Sequence, residues 1–233
     1  MQNEMFKDWE KNVLKGLKAQ KKNIDQNEQA KNLYGGFYIW DSKFIMNPEI
    51  MFIGINPGNG NPNNNGSINF KPESQMSYLE YLDTEEPNLT YTLARETIDV
   101  FKESGYNQEQ IIDLLNNKSV KTNFHYIITR SELDIKKCFN LVEQNGFNNY
   151  WVQSYKWTGD LINIIQPKVI ICEGKGVFDV IKDYEDFTGL EWKDNCGFLK
   201  REDGIVVLGY SRTFSNIKNK NRLAELIKKY IEK

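Results

Sequence analysis

Three short apolar runs stand out against the alternation of polar and apolar positions along this chain. They are Ile50-Met51-Phe52-Ile53, Val169-Ile170-Ile171-Cys172 and Ile205-Val206-Val207-Leu208, and each lies close to a glycine or a proline. Continuous apolar runs of this length are typical of strands that are buried on both faces of a parallel sheet. A fourth strand is predicted from Ser119 to Phe124.

Between these runs, apolar residues recur at the spacing of amphipathic helices. Helices are predicted around Phe6 to Leu17, Ala94 to Phe101, Ile111 to Leu115, Leu161 to Ile165, Val177 to Ile181 and Leu223 to Ile231. The polar segment from Lys21 to Lys31 is predicted to be a loop. Helices alternating with buried strands indicate an α/β fold around a mainly parallel sheet. We expect one domain over residues 1–233, with an N-terminal helical extension over about residues 1–33.

Composition and charge limit the classes of function. The chain has 233 residues, 39% of them hydrophobic, which is enough for one well-packed core. Its net charge is −2, so any nucleic acid must bind to a local basic patch rather than to the whole surface. The sequence contains neither an apolar run of membrane-spanning length nor a signal-peptide pattern at its start. We therefore expect a cytoplasmic protein with no membrane partner.

Cysteine and histidine usage excludes some kinds of site. Cys138, Cys172 and Cys196 are odd in number and widely spaced, which argues against a disulfide framework and against a zinc site. We expect free thiols, with Cys172 buried in a strand. His125 is the only histidine, so a mechanism that needs two imidazoles is excluded.

The segment Gly54-Ile55-Asn56-Pro57-Gly58 follows the first apolar run directly. Ligands of open α/β sheets bind beyond the carboxyl ends of the strands, which is where this segment lies. Glycine allows a ligand to approach the backbone closely, and proline biases the preceding residue, Asn56, toward an extended conformation. The same residues also form ordinary turns. The polar residues 59–67 that follow are predicted to be an exposed loop.

Four features occur in order along the chain: Gly54-Ile55-Asn56-Pro57-Gly58, Thr122-Asn123, the strand from Pro167 to Gly174, and a final strand that enters a short loop and a helix. In this order the chain resembles the uracil-DNA glycosylase superfamily from about Ile50 to its end. The first feature is similar to the water-activating motif of the mismatch-specific thymine/uracil branch. The resemblance implies a three-layer α/β/α sandwich with a central, mainly parallel sheet of about four strands.

The same resemblance implies an activity. Members of this family flip a base out of DNA, break its N-glycosidic bond and let water attack the sugar. We expect this chain to act without a metal or an organic cofactor, since it lacks the four clustered cysteines that hold an iron–sulfur cluster in some branches. The implied partner is DNA, and no obligate protein partner is evident. Asn56 stands where the family places the Asp or Asn that orients the water, and as an amide it would position water more than activate it.

Further residues are assigned to the base by the same comparison. Gly54, Ile55, Pro57 and Gly58 surround Asn56 in the first motif. Phe70 stands where the family has an aromatic residue that stacks on the extruded base. Asn123 stands where several branches have an amide that reads the uracil edge, although an asparagine also caps strand ends. His125 either faces the same pocket or belongs to the core.

The last motif departs from the family pattern. His-Pro-Ser or Asn-Pro-Ser is usual after the final strand, whereas this chain has Tyr210-Ser211-Arg212-Thr213-Phe214-Ser215. In this reading the Tyr210 phenol donates to the base, and Arg212 stabilises an anionic base or a phosphate. Phe214 stands where the family inserts an apolar wedge into the duplex. Packing against the last helix is the alternative for Phe214.

Basic residues beside this segment favour a DNA surface. The residues predicted to contact DNA are Ser211, Phe214, Ser215, Lys218 and Lys220, with Arg212 close by and Arg222, Lys228 and Lys229 further along. The alternative is an ordinary solvated helix face. The aromatic stretch Tyr34 to Trp40 likewise suits either base stacking or packing.

Two other functions remain open at this stage. One is a catalytically silent family member that binds DNA or a modified base, because the last motif is altered. The other is a nucleotide- or small-molecule-binding protein that uses the Gly174-Lys175-Gly176 turn, although this turn has neither the Walker A nor the dinucleotide-binding pattern.

Overall fold

The computed structural model describes residues 2–58, 66–70, 75–82, 91–184 and 187–231. Most of the loop predicted at residues 59–67 lies outside these ranges. The chain divides into two compact units. The first contains Met1–Ile39, Ile55–Lys71 and Asn123–Ile165, and the second contains Trp40–Gly54, Pro72–Thr122 and Gln166–Lys233.

Helices make up about half of the described chain. They are α1 (Gln2–Asp25), α2 (Glu28–Lys31), α3 (Thr92–Glu103), α4 (Gln108–Asn117), α5 (Glu132–Val142), α6 (Gly146–Ile165), α7 (Lys175–Ile181) and α8 (Lys220–Tyr230), with a 3-10 helix at Ser77–Tyr81. Among the described residues, none of these helices combines the length and apolar character needed to cross a membrane.

The strands belong to three sheets. They are β1 (Gly36–Tyr38), β2 (Ile50–Gly54), β3 (Ser67–Asn69), β4 (Ser119–Asn123), β5 (Ile127–Ile128), β6 (Val169–Cys172), β7 (Phe187–Lys193), β8 (Cys196–Arg201), β9 (Val206–Tyr210), β10 (Arg212–Thr213) and β11 (Asn216–Ile217). The prediction of an α/β protein with a mainly parallel central sheet is confirmed.

The first unit packs helices around a small sheet of order β3-β1-β5. The apolar stripe of α1 is buried and packs against α6. The indole nitrogen of Trp9 donates to the backbone oxygen of Trp157 over 2.9 Å. Gly16 lies directly under the Trp157 ring, where a Cβ would overlap it. The absence of a side chain at Gly16 therefore lets the two helices approach closely.

The second unit contains the six-stranded central sheet, whose order is β4-β2-β6-β9-β8-β7. β2 pairs with β6, and β6 with β9, in parallel register. From β2 the chain moves to one side of the sheet to form β4 and then returns to the other side to form β6. Such a reversal creates the crevice in which open α/β sheets bind ligands, at the carboxyl ends of β2 and β6.

Strands β7 and β8 form an antiparallel hairpin that extends this sheet beyond β9. They raise the strand number from the predicted four to six. Gly197 on β8 and Gly209 on β9 both lie under the ring of Phe178, and a Cβ at either position would overlap that ring. Because neither glycine has a side chain, the Phe178 ring of α7 can pack directly on these two strands.

The structure also contains helices that the sequence pattern did not predict, namely α5 and the first part of α6. The prediction of a loop from Lys21 to Lys31 is wrong, because α1 continues to Asp25 and α2 begins at Glu28. The side chain of Asn27 caps α2 by accepting a hydrogen bond from the backbone nitrogen of Ala30. Lysine, glutamine and asparagine on an exposed helix face give no apolar signal, although they are compatible with a helix.

Candidate functional site

In the second unit, polar side chains meet where the parallel strands end. Glu173 follows β6 directly and continues its pairing, because its backbone nitrogen donates to the oxygen of Ile53 over 2.9 Å. Its side chain is buried, with 2% of the residue exposed. A carboxylate at this depth must be paired to remain charged. Lys121, from the middle of β4, and Tyr78, from the 3-10 helix, supply the partners.

Lys121 is the centre of this cluster. Its Nζ donates to Oε2 of Glu173 over 2.9 Å and lies 3.6 Å from Oδ2 of Asp41. It also lies over the ring of Tyr78, 4.6 Å from the ring centroid. The Tyr78 hydroxyl donates to the other carboxylate oxygen of Glu173, Oε1. One ammonium group therefore bridges two carboxylates.

Burial and charge act against each other in this cluster. Burial lowers the pKa of Lys121, but the negative charges of Glu173 and Asp41 outweigh burial and raise it above its ordinary value. Burial raises the pKa of the Tyr78 hydroxyl, and the charge of Glu173 raises it further. At neutral pH Lys121 is therefore a cation and Tyr78 a neutral hydrogen-bond donor.

Asp41 forms the more accessible edge of the cluster. Its Oδ2 accepts a hydrogen bond of 2.7 Å from the hydroxyl of Ser77, which lies 3.2 Å from the hydroxyl of Tyr91. Burial raises the pKa of Asp41, although Lys121 and Ser77 lower it in part. A half-buried carboxyl group with a raised pKa and a hydroxyl neighbour is a candidate for proton transfer.

Tyr210 and Arg212, two predicted catalytic residues, lie beside Glu173. Tyr210 ends β9 and is buried. Burial raises the pKa of its phenol, the charge of Glu173 raises it further, and Arg212 lowers it. A Cβ on Gly174 would lie 3.5 Å from Nε of Arg212, so the arginine side chain passes close to the backbone after Glu173. Gly174 has a φ of 133°, a conformation that favours glycine.

Phe214 lies at the tip of the hairpin formed by β10 and β11. The pairing of β10 with β11 leaves a two-residue turn, Phe214-Ser215. Phe214 is 91% exposed and has a φ of 54°, at a turn position that glycine normally occupies. The alternative in which Phe214 packs against the last helix is therefore wrong. Residues with a strained backbone occur more often at functional sites than elsewhere, which makes this turn a candidate site.

The predicted basic patch is smaller than the sequence suggests. The prediction that Lys220 contacts DNA is corrected, because its ammonium group is held by Glu96 at 2.8 Å and by Asp99 at 3.4 Å. Arg222 is paired in the same way with Glu191 and Glu225. Acidic side chains neutralise both residues, so neither presents a free charge to DNA.

Three predicted residues on or directly after the hairpin are exposed or half-buried. Lys218 is exposed, and Ser215 is half-buried beside Phe214. Arg212 forms no ion pair with any other described residue. Ser211 is half-buried, and its backbone pairs with Asn195 and Lys218, so it contributes to the hairpin framework.

Asn56, the predicted water-positioning residue, belongs to the first unit and is half-buried. Its Nδ2 donates to the backbone oxygen of Thr129 over 3.1 Å and lies 3.3 Å from the Thr129 hydroxyl. A carbonyl oxygen can only accept, so the amide nitrogen must face Thr129 and Oδ1 must point elsewhere. Asn56 is thus oriented as an acceptor.

The other residues of the first motif are also half-buried. These are Ile55, Pro57 and Gly58, whereas Gly54, the last residue of β2, is buried in the second unit. Gly58 has a φ of 67°, and a Cβ built on it would meet no atom within 4 Å. Backbone conformation, rather than crowding, therefore favours glycine at this position.

The remaining base-binding predictions lie in the first unit. Phe70 is half-buried, and its ring centroid is 6.2 Å from that of Trp9 on α1. Asn123 ends β4 and is buried. The structure brings Phe70 into contact with α1, a neighbour that the motif does not suggest.

His125 lies in the aromatic core of the first unit, the alternative that the sequence left open. Its ring stacks on Tyr150 at 5.3 Å and meets Phe124 edge to face at 4.6 Å. Nδ1 lies 3.2 Å from the hydroxyl of Ser154, and among the described residues Nε2 has no partner. Burial lowers the pKa of His125 to about 3, so the imidazole is neutral. The residue also has no solvent-accessible surface that a base could contact.

Phe37 and Trp40 of the aromatic stretch from Tyr34 to Trp40 are buried too and contribute to packing.

Sequence reasoning missed the residues that surround Glu173. Lys121 carried one local signal, a charged residue in the middle of a predicted strand, where it must find a buried partner. Glu173, between a buried cysteine and a glycine, carried a similar signal. Nothing in the local pattern identifies Asp41, Ser77 or Tyr78 as their neighbours.

Comparison with family models and with curated proteins found no match to this chain. The resemblance to the uracil-DNA glycosylase superfamily therefore rests on the motifs quoted above. Among the described residues, no three or more His, Cys, Asp and Glu side chains lie together in an arrangement that could hold a metal ion. All three cysteines are free thiols, as expected, and Cys172 is buried in β6 as predicted; Cys138 and Cys196 are buried as well.

Proposed function

We propose that this protein is a DNA glycosylase that releases uracil or a related deaminated or mismatched base, on a three-layer α/β/α fold of the uracil-DNA glycosylase kind. One observation carries the proposal. Phe214 is almost fully exposed, on a strained turn of the hairpin that begins at Arg212 and directly follows the strand ending at Tyr210. A protein that inserts an apolar ring between base pairs needs such a projection.

The wedge is the first step of the proposed reaction. An enzyme that acts on a base inside a duplex must first remove that base from the stack, at a cost of a few kcal/mol. Phe214 would fill the space that the base leaves. Lys218 is exposed, directly follows this hairpin and forms no salt bridge with another described residue, so it can hold a phosphate.

The leaving base requires stabilisation as the bond breaks. The N-glycosidic bond breaks with its electron pair moving to the base, the water oxygen bonds to the sugar carbon, and the proton from water neutralises the base. Tyr210 is 1% exposed, and its phenol stays neutral because burial and the charge of Glu173 raise its pKa; it would donate a hydrogen bond to a base oxygen that enters the protein far enough to reach it. Arg212 supplies positive charge for the anionic base.

Asn56 would hold the attacking water. Its nitrogen is engaged by Thr129, so Oδ1 is the atom that can accept a hydrogen bond from water. An amide takes up protons far more weakly than a carboxylate, so it orients water without deprotonating it. This is sufficient when the sugar already resembles an oxocarbenium ion and attracts a neutral nucleophile.

Base release from uracil-containing DNA tests the proposal. The protein is incubated with single-stranded and double-stranded oligonucleotides carrying uracil or another deaminated base, and abasic sites are then cleaved with alkali. Asn56→Ala and Tyr210→Phe should each reduce cleavage at least tenfold, a loss typical of one catalytic hydrogen bond. Asn149→Ala, an exposed asparagine of α6, is the matched control and should behave as the wild type.

The outcomes separate this proposal from its rivals. Absence of cleavage on every deaminated base contradicts it. Tight DNA binding without base release identifies a silent, DNA-binding member instead. The nucleotide-binding alternative gains no support from the structure, since Lys175 is paired with Asp179 and α7 has only seven residues. A rise in melting temperature with nucleotides but not with DNA would nevertheless favour it.

A further inference from the structure

Helix α1 carries a row of lysines on its outer face. Lys7, Lys11, Lys15, Lys18 and Lys22 are all exposed. At about 100° per residue, these five positions fall within an arc of roughly 80° on the helix surface. With a rise of 1.5 Å per residue, the row is about 22 Å long. We call these five residues the lysine row.

No member of the lysine row forms an ion pair with any other described residue, in contrast to Lys21, which is paired with Asp25. Acidic residues lie only at its borders: Glu4 and Asp25 fall within the arc one turn beyond each end, and Asp8 and Glu10 lie beside the row, so five lysines face four carboxylates. In a chain whose net charge is −2, the row is a local concentration of unpaired positive charge.

The geometry points to a polyanion as the partner, and we propose that the lysine row binds the phosphate backbone of duplex DNA, independently of base sequence. About 22 Å of duplex carries roughly thirteen phosphates at one charge per 1.7 Å, more than enough for five lysines. The choice of DNA rather than another nucleic acid rests on the proposed function. The surface itself does not depend on that function.

A membrane surface fits these observations less well. Helices that lie on anionic membranes insert an apolar face beneath the lipid headgroups. The apolar face of α1, which includes Trp9, Val13 and Leu17, is already buried and packs against α6. Of the apolar residues of α1, Met5 is exposed and Phe6 and Leu14 are half-buried, but they form no continuous face like the buried stripe, so the accessible side of the helix suits a polyanion better than a lipid interior.

Salt dependence of DNA affinity is the direct test. Binding to an undamaged duplex of 20 base pairs is measured by fluorescence anisotropy from 50 to 200 mM salt. Five phosphate contacts give a slope of about −4.5 in log K against log salt from the lysine row alone, equivalent to a loss of about 500-fold over this range. The variant Lys7→Gln/Lys11→Gln/Lys15→Gln/Lys18→Gln/Lys22→Gln should remove this part of the slope.

A control variant with the same net charge isolates position from total charge. Five other exposed lysines are changed to glutamine, namely Lys102, Lys136, Lys137, Lys193 and Lys200. The control should keep the wild-type slope within about one unit, the contribution of a single phosphate contact. Equal losses in both variants would overturn the proposal, as would a wild-type protein without affinity for undamaged duplex.

Two further measurements separate this proposal from the glycosylase activity. Wild-type protein that binds duplex through the lysine row but releases no base supports the lysine row and contradicts the proposed function. Base release from a short single strand at saturating enzyme should be unchanged in the lysine-row variant. Binding to vesicles that contain phosphatidylserine, without binding to DNA, would identify a membrane surface and overturn the assignment.

Discussion

The amide nitrogen of Asn56 donates to the backbone oxygen of Thr129 over 3.1 Å. These residues are 73 positions apart in sequence, so the hydrogen bond joins the first motif to the loop after β5. It orients the one side chain on which the proposed hydrolysis most depends. It also determines what a carboxylate would do at this position.

Replacement of Asn56 by aspartate should therefore impair the protein rather than improve its water activation. One carboxylate oxygen would face the Thr129 oxygen, and two acceptors without a proton between them repel each other. We expect a loss of about 1–3 kcal/mol in the free energy of unfolding near pH 7, measured by urea titration. Protonation relieves the repulsion, which raises the folded-state pKa of the new carboxyl group above its unfolded value of about 3.9.

The pH dependence checks the sign of this effect. A group with a raised folded-state pKa stabilises the protein fully below its unfolded pKa and loses that contribution as the pH rises through the folded value. The difference in stability between wild type and Asn56→Asp should thus grow from pH 4 to pH 7. A pH-independent difference, or a variant as stable as the wild type at pH 7, contradicts the orientation of Asn56.

The ion pair between Lys121 and Glu173 should be strongly coupled. Lys121→Met leaves Glu173 and Asp41 without their shared cation, and removal of one partner of a buried pair typically costs about 3–5 kcal/mol. The double variant Lys121→Met/Glu173→Gln should recover a large part of that loss, because the glutamine oxygen can still accept from Tyr78. Urea unfolding of the single and double variants measures the coupling.

An ion pair on the surface provides the control for this comparison of single and double variants. Lys168 and Glu49 are 2.7 Å apart, and the Lys168 side chain is exposed. Exposed pairs contribute about 0–1 kcal/mol, so Lys168→Met should change stability only slightly. If the two lysine variants lose similar amounts, the cluster around Glu173 is solvated and carries no special electrostatic role.

His125 offers a direct measurement of burial, because it is the only histidine of the chain. Its imidazole proton resonances should not titrate between pH 8 and pH 5, since burial lowers the pKa to about 3. In the unfolded chain the pKa of His125 is near 6.5. Its contribution to the free energy of unfolding is therefore complete above that pH and is lost as the pH falls toward 3.

Comparison with His125→Phe isolates this contribution. The wild type should lose up to about 1.4 kcal/mol more per pH unit than the variant between pH 6 and pH 4. Acidic residues contribute equally to both proteins and cancel in the difference. An imidazole that titrates near pH 6.5 in the folded protein would show that the ring reaches solvent.

The sequence revealed the strands of the parallel sheet but not the groups between them. β2, β6 and β9 were predictable because strands buried on both faces are continuously apolar. The hairpin of β7 and β8 was not predicted, because β7 is largely exposed and has no regular alternation of apolar and polar residues. Lys121 and Glu173 are 52 residues apart, and no local pattern encodes such a pairing.

The turn between β10 and β11 shows that a local sequence pattern also does not determine whether a side chain is exposed. Sequence position alone suggested a wedge at Phe214 and equally allowed packing against α8, because both are consistent with an apolar residue between Thr213 and Ser215. Its exposure excludes packing against α8, whereas insertion into a duplex stays a prediction, and exposure depends on the fold of the whole second unit. The positive φ of Phe214 was likewise not predictable, because glycine, not phenylalanine, is the residue that marks such turns.

Replacement of Phe214 by glycine should separate stability from function. Glycine adopts a positive φ without steric cost, so Phe214→Gly should raise the free energy of unfolding by up to about 1 kcal/mol. Phe214→Ala removes the ring but keeps the strained backbone, so it should show no such gain.

Both variants should release uracil from duplex DNA at least tenfold more slowly, since the wedge that offsets unstacking is absent. Both should act on single-stranded DNA within about twofold of the wild type, because a single strand needs no unstacking from a partner. A loss of stability in both variants, or equal losses on both substrates, would show that the ring serves packing or general catalysis instead of insertion.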